Sequence, residues 1–290
     1  MPLFPPRRGV ASLAARLLLL GLALGGTPVL ADTSAPAPKI QTPPTLTFQV
    51  LAQYPHDVNR FTQGLEIAGG ALYESSGLYG RSFIVRGALP QMQVPTLLAP
   101  AASETRQALP SRYFGEGLTV WDERIYVVTW REQRGLIFER ASLQPAGEFA
   151  FDGEGWGLTH DSKHLILSDG SAVLRFLDPK TFAVQKTVTV HSGGQPLAKL
   201  NELEWIEARK GRPARLLANV WGTDELVAID PADGRVTARL DLARLYPHDQ
   251  RSRRADVMNG IAWDARDDTL LITGKFWPYL YRLKLLQPLP

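Results

Sequence analysis

Five segments of the chain share one framework yet differ at two positions, and those positions hold side chains able to do chemistry. The first position is occupied in turn by Gln63, Glu116, Trp156, Asn201 and Asn259. The second is occupied by Gly77, Trp130, the pair Asp169-Gly170, Trp221 and Lys275. A carboxylate such as Glu116 can take up a proton and return it. An ammonium or a carboxamide N–H can donate to negative charge developing on an oxygen. Indoles such as Trp130, Trp156 and Trp221 offer flat apolar walls that hold a small side chain in one rotamer and exclude water. A purely structural repeat favours one residue type in every copy. Varied residues on a constant framework are what a site grafted onto a scaffold looks like. The alternative, for any one of them taken alone, is a satisfied structural polar group or a core aromatic. Trp121, Trp205, Trp263 and Trp277 follow that second reading, as packing residues.

The elements that must position these residues recur along the chain. Each copy reads as a Gly-Leu-like step, an apolar strand, a polar turn and a second apolar strand ending in Thr, Ser or Asn with Gly or Trp. Aligned on residues 64, 117, 157, 202 and 260, the copies lie 53, 40, 45 and 58 residues apart. A third apolar run follows in every copy, and Val184–Val190 and Val236–Leu242 read as fourth strands. Four short alternating strands per unit of this length is the plan of a propeller blade. The last copy stops after its third strand, whereas a spare strand, Leu46–Ala52, precedes the first. Pairing these two removes two open sheet edges. The expectation is an all-β, five-bladed β-propeller, its ring closed by the N-terminal strand joining the last blade. In such a ring the first strands line a central channel, and their starts meet the ends of the second strands at one mouth. Residues 86–112 and 207–215 read as added loops.

Other chemistries find little support. The 290 residues contain no cysteine, which excludes disulfides, thiolate-bound zinc, iron–sulfur clusters and thiol nucleophiles. There is no His-Glu-x-x-His zinc motif, phosphate loop or Gly-x-Ser-x-Gly elbow. His160 and His164 flank a hairpin turn, Asp161-Ser162-Lys163, and do not sit on a helix. Asp152-Gly153-Glu154-Gly155 resembles a fragment of a calcium loop without its remaining ligands. Arg251-Ser252-Arg253-Arg254 reads as a solvated loop.

The net charge of +3 is local. Residues 1–31 carry three charges, all basic (Arg7, Arg8 and Arg16), followed by an apolar run and small residues up to Ala31. That is the plan of a cleavable export signal, with a run too short to span a bilayer comfortably. Its removal leaves 259 residues with balanced charge. Nucleic-acid binding is therefore disfavoured. The organisation expected is a signal peptide over 1–31, a Pro-rich linker over 32–45 and a propeller over 46–290, in a monomer that is periplasmic or secreted and has no membrane span once the signal is removed.

Longer motifs carry a resemblance. Phe61-Thr62-Gln63-Gly64-Leu65, Phe114-Gly115-Glu116-Gly117-Leu118, Gly155-Trp156-Gly157-Leu158-Thr159, Leu200-Asn201-Glu202-Leu203, Ala218-Asn219-Val220-Trp221 and Thr273-Gly274-Lys275-Phe276-Trp277 are similar to motifs of the plant and bacterial glutaminyl-peptide cyclotransferases. The resemblance covers about residues 46–285. It implies a five-bladed propeller that converts N-terminal glutaminyl residues of peptides or proteins to pyroglutamyl with release of ammonia, without a metal or other cofactor. It implies Glu116 as the catalytic acid/base, Lys275, Asn201 and Gln63 as polar contacts to substrate and transition state, and Phe61, Trp130, Trp156 and Trp221 as the aromatic pocket. Two alternatives remain open at this stage. A metal-dependent propeller lactonase or related hydrolase could use Glu116, Asn201 and Asn259 as ligands, and a non-catalytic binding propeller would tolerate loss of Glu116.

Overall fold

Short apolar-polar alternation produces strands, and the turn residues between them fold each group of four into a small antiparallel sheet. The computed structural model describes residues 42–90, 104–209 and 211–290. Blade 1 is β2 (Thr62–Ala68), β3 (Ala71–Ser76), β4 (Phe83–Ala88) and β5 (Thr105–Ala108), and β1 (Phe48–Pro55) precedes it. Blade 2 is β6 (Gly115–Trp121), β7 (Arg124–Thr129), β8 (Arg134–Glu139) and β9 (Pro145–Ala150). Blade 3 is β10 (Leu158–His160), β11 (Leu165–Leu167), β12 (Val173–Leu177) and β13 (Val184–Thr189). A two-stranded hairpin, β14 (His191–Ser192) and β15 (Gln195–Pro196), comes next. Blade 4 is β16 (Leu200–Ile206), β17 (Arg215–Val220), β18 (Glu225–Ile229) and β19 (Val236–Asp241). Blade 5 is β20 (Met258–Asp264), β21 (Thr269–Gly274) and β22 (Tyr279–Leu285), completed on its outer edge by β1.

The ring closes as the spare strand requires. β1 pairs antiparallel with β22 from Phe48 opposite Leu285 to Pro55 opposite Tyr279. The inner strands β2, β6, β10, β16 and β20 touch in that order, and β20 returns to β2. Apolar faces of adjacent blades pack between the sheets, with Leu203, Leu216 and Val227 against Ile166, Leu174 and Phe176 between blades 3 and 4. Trp277 is fully buried, as its packing role requires. Among the described residues no helix is long and apolar enough to cross a membrane.

Four expectations need correction. Residues 86–112 are not simply a loop: Arg86–Ala88 belong to β4, and Thr105–Ala108 form β5, the fourth strand of blade 1. That strand has no apolar pattern because three of its four side chains are exposed on the outer edge. Within 207–215, Arg215 opens β17, and Arg209 and Arg212 bridge to each other. The end of the supposed linker is ordered: Thr45 bridges to Arg239, and Arg239 N–H donates to the Pro44 carbonyl at 2.9 Å. Arg251 is not a solvated residue. Its buried side chain donates to Asp224 at 2.7 Å and lies 5.0 Å from the centre of the Trp277 ring. Residues 1–31 and most of the linker lie outside the described residues.

Candidate active site

Inner strands must come close enough to seal a five-fold channel, yet still turn selected side chains into its mouth. Glycine solves the first problem. A Cβ on Gly117 would overlap the backbone of Gly157 and Leu158, and one on Gly157 would overlap the Asn201 carbonyl. A β-bulge solves the second. The register shifts between Thr62 and Gly64, between Gly115 and Leu118, between Leu200 and Leu203, and between Met258 and Ile261. Gln63, Glu116, Asn201 and Asn259 each sit inside one of these shifts. A bulge re-aims a side chain and bends its strand, so the same local device recurs at four corresponding positions of the ring. Trp156 precedes β10, which is correspondingly short.

Polar ties fix the inner strands against one another. Ser75 Oγ donates to the Glu116 carbonyl at 2.6 Å. Gly117 N–H donates to the Trp156 carbonyl at 2.8 Å. Ser168 Oγ donates to the Asn201 carbonyl at 2.6 Å. Asn259 Nδ2 donates to the Thr62 carbonyl at 3.0 Å, so Asn259 is engaged in holding β2. Deeper in the channel Glu202 accepts from the Leu65 and Ile261 N–H groups at 3.1 and 2.9 Å, joining blades 1, 4 and 5.

The mouth assembled this way brings the expected residues together. Glu116 and Lys275 are only 6% and 5% exposed, and Gln63 and Asn201 are equally buried. Burial pushes the Glu116 carboxyl well above its usual range, Lys275 opposes that shift, and Glu154 and Glu132 add to it. Burial lowers the Lys275 ammonium, while Glu116 and Asp256 raise it. The two groups therefore compete for protons much more evenly than free Glu and Lys would. The Asn201 carboxamide oxygen is buried without a hydrogen-bond partner. An unmet buried acceptor in a functional cleft is a natural contact for an N–H of a ligand.

Aromatic rings form a crescent around these groups. Phe61 lies 5.2 Å from Phe276 and 6.0 Å from Phe114, and Phe114 lies 5.5 Å from Trp130. Lys275 Nζ sits 4.5 Å from the centre of the Phe61 ring. Trp156 meets Trp221 edge-on at 6.1 Å. Trp221 is 41% exposed and Tyr79 50%, so both are rim residues. Three residues of this crescent escaped the sequence reading: Phe114, Tyr79, which packs on Phe114 at 5.3 Å, and Phe276. Glu154 was set aside as a calcium-loop fragment, yet it accepts from the indole N–H groups of Trp130 and Trp156. A sequence signal for some of these existed: Phe61, Phe114 and Glu154 each stand two residues before Gln63, Glu116 and Trp156, a repeated offset just ahead of the inner strands.

The packing tryptophans sit elsewhere. Trp121 stacks on His160 with ring centres 4.9 Å apart. A cavity of about 240 Å3 lies at the hairpin end of blades 4 and 5, lined by Ile206, Arg215, Trp263 and Leu285. None of the mouth residues lines it, and its Arg212 is engaged by Asp268 at 2.6 Å. Among the described residues no three or more His, Asp or Glu side chains cluster as metal ligands would.

The sequence and fold match known proteins over the whole ring. The family model described as glutamine cyclotransferase matches residues 21–285. The chain belongs to the glutamine cyclotransferase family. A glutaminyl-peptide cyclotransferase of Arabidopsis thaliana is 38% identical over 243 residues, covering 82% of this chain and 71% of its own length. The crystal structure of Myxococcus xanthus glutaminyl cyclase matches with a TM-score of 0.71 and 31% identity, covering 84% of this chain and 98% of that one. In this member of the glutamine cyclotransferase family, the mouth described above is the candidate active site.

Proposed function

We propose that this mouth cyclises the N-terminal glutaminyl residue of peptides or proteins to pyroglutamyl, releasing ammonia. Membership of the glutamine cyclotransferase family makes the protein an acyltransferase. The observation that carries the mechanism is one buried carboxyl, Glu116, with an elevated proton affinity, beside Lys275 and an unmet Asn201 acceptor.

The reaction forms a bond between the α-nitrogen and the γ-carboxamide carbon, and breaks the bond from that carbon to the amide nitrogen. The α-ammonium ordinarily titrates at about 7.7–8.0, so a base of ordinary carboxylate strength removes its proton poorly. A Glu116 carboxylate with raised proton affinity does so better. The first proton lost from the ammonium passes on to solvent. The neutral amine then attacks, and the second proton, released from the attacking nitrogen, goes through Glu116 to the departing nitrogen, which leaves as ammonia and returns Glu116 to its starting form. One group thus serves both steps. Negative charge develops meanwhile on the carboxamide oxygen. Lys275 and the carboxamide N–H groups of Asn201 and Gln63 are the donors in reach of the mouth. Phe61, Trp130 and Trp156 hold the short side chain folded toward its own amine and keep water away, and Trp221 meets the following residue at the rim.

The test is ammonia release from a Gln-initiated peptide, with and without a strong chelator. Release unaffected by chelation is expected, and its loss would favour a metal-dependent propeller hydrolase. Glu116→Gln should lower kcat roughly 10²–10⁴-fold. An unchanged kcat would remove Glu116 from the proton transfer, whereas no ammonia release by the wild type would leave the binding-only reading. Residues 1–31 serve in this proposal as a cleaved export signal, the enzyme working as a periplasmic or secreted monomer. N-terminal sequencing and sizing of the exported protein test both points.

A further inference from the structure

One carboxylate at the mouth has no part in the proton transfers. Glu154 Oε2 accepts from Trp130 Nε1 and from Trp156 Nε1, each at 2.9 Å. Its Oε1 accepts from Arg131 Nε at 3.2 Å, and the Arg131 guanidinium lies 3.7 Å from the centre of the Trp130 ring. The two indoles belong to different blades. Trp130 follows β7 in blade 2, and Trp156 precedes β10 in blade 3. A single oxygen therefore couples two walls of the pocket.

The loop that carries Glu154 is itself fixed. Arg175 donates to the carbonyls of Asp152 and Glu154, the latter at 3.0 Å. Gly155 N–H donates to the Trp130 carbonyl at 3.0 Å, and a Cβ on Gly155 would come within 2.8 Å of the Thr129 carbonyl oxygen. Trp156 lies against Gly170, where a Cβ would meet its ring at 2.7 Å. Each indole has one polar atom, a donor. Without an acceptor placed between them, each ring would give that N–H to water and lose its fixed angle to the other.

We propose that Glu154 is a positioning residue for the cyclisation: by accepting both indole N–H groups it sets the angle between Trp130 and Trp156, the walls that hold the glutaminyl side chain folded. This rests on the cyclotransferase reading and deepens it. A second consequence follows from charge. Glu116 feels burial first, then Lys275, Glu154 and Glu132, and of these Glu154 and Glu132 push its carboxyl upward. Glu154 thus tunes the base as well as shaping the pocket.

The experiment compares wild type with Glu154→Leu and Glu154→Gln in steady-state kinetics, pH profiles and near-ultraviolet circular dichroism. Leucine removes the acceptor. It should lower kcat/KM roughly 10–100-fold, in line with the loss of hydrogen bonds to a charged group, with a raised KM. Glutamine keeps one acceptor oxygen without charge. It should recover part of the KM and move the acid limb of kcat/KM to lower pH, a shift that general loosening would not produce. The tryptophan circular dichroism should change in the leucine variant and less in the glutamine variant. Wild-type kcat/KM and an unmoved acid limb in both would overturn the proposal. If leucine prevents folding, the glutamine variant decides through its pH profile. If wild type itself releases no ammonia, the cyclotransferase reading fails, and an unchanged indole spectrum in Glu154→Leu then overturns the clamp separately.

Discussion

Glu116 and Lys275 are an acid and a base whose ordinary proton affinities lie far apart, and burial at the mouth draws them together. Catalysis as a base requires Glu116 deprotonated, so kcat/KM should fall as pH drops through its raised value, above the usual glutamate range. Lys275 is the charge that restrains this shift. Lys275→Met should therefore move the acid limb to higher pH as well as lower kcat, read from the full pH profile. An acid limb that stays in place would mean the ammonium does not act on Glu116. The residue types at the mouth were legible in the sequence because they break a repeat. Their protonation was not legible, because it depends on burial and on charges brought together from distant parts of the chain.

The strand-level device is a bulge beside a close approach. Gly157 has no room for a side chain, and the oxygen it would strike belongs to Asn201, itself a site residue. Gly157→Ala should lower stability by about 1–3 kcal/mol, the usual range for overpacking, and lower activity by displacing β16. Denaturant midpoints and kcat/KM together check this. In blade 4 the same repeat position holds Glu202, which accepts from the backbones of blades 1 and 5. Glu202→Ala leaves two buried N–H groups unmet and should cost about 1–3 kcal/mol for each. The Gly-Leu periodicity announced the inner strands. The use of Glu202 as a tie across the channel could not be read from it, since its partners are 137 and 59 residues away.

At the scale of the ring, the seam between blade 5 and blade 1 is held by charge as well as by β1. His56 contacts Glu74 at 3.1 Å, and Arg60 contacts Glu74 at 2.7 Å and Glu104 at 2.5 Å. Burial would raise the Glu74 carboxyl, but His56 and Arg60 hold it at about 2, below an ordinary value of 4.5. A lowered carboxyl contributes stability that is present above its unfolded value and lost as pH falls through its folded one. Acidification from about 4.5 toward about 2 should therefore weaken the seam, and Glu74→Gln should flatten that part of the stability curve. Glu116, Glu202 and Glu204 act with opposite sign, since burial raises all three. Their stabilising contribution is present below the usual carboxylate range and lost as pH rises through their own values. Chemical denaturation across pH resolves the two trends.

The sequence by itself determined the five repeats, the closing partner of the last blade and the varied residues at the mouth. Strand alternation and turn chemistry are local, and a ring must pair its spare edges. β5 was missed because an exposed outer strand needs no apolar pattern, and Arg251 because a local basic run does not reveal a distant Asp224 and Trp277. Only the tertiary structure decided that Glu154 faces two indoles, that Trp221 stands at the rim and that Asn259 is spent on the Thr62 carbonyl. Each of those outcomes depends on the distance between side chains from different blades, which ring packing sets and no single repeat encodes.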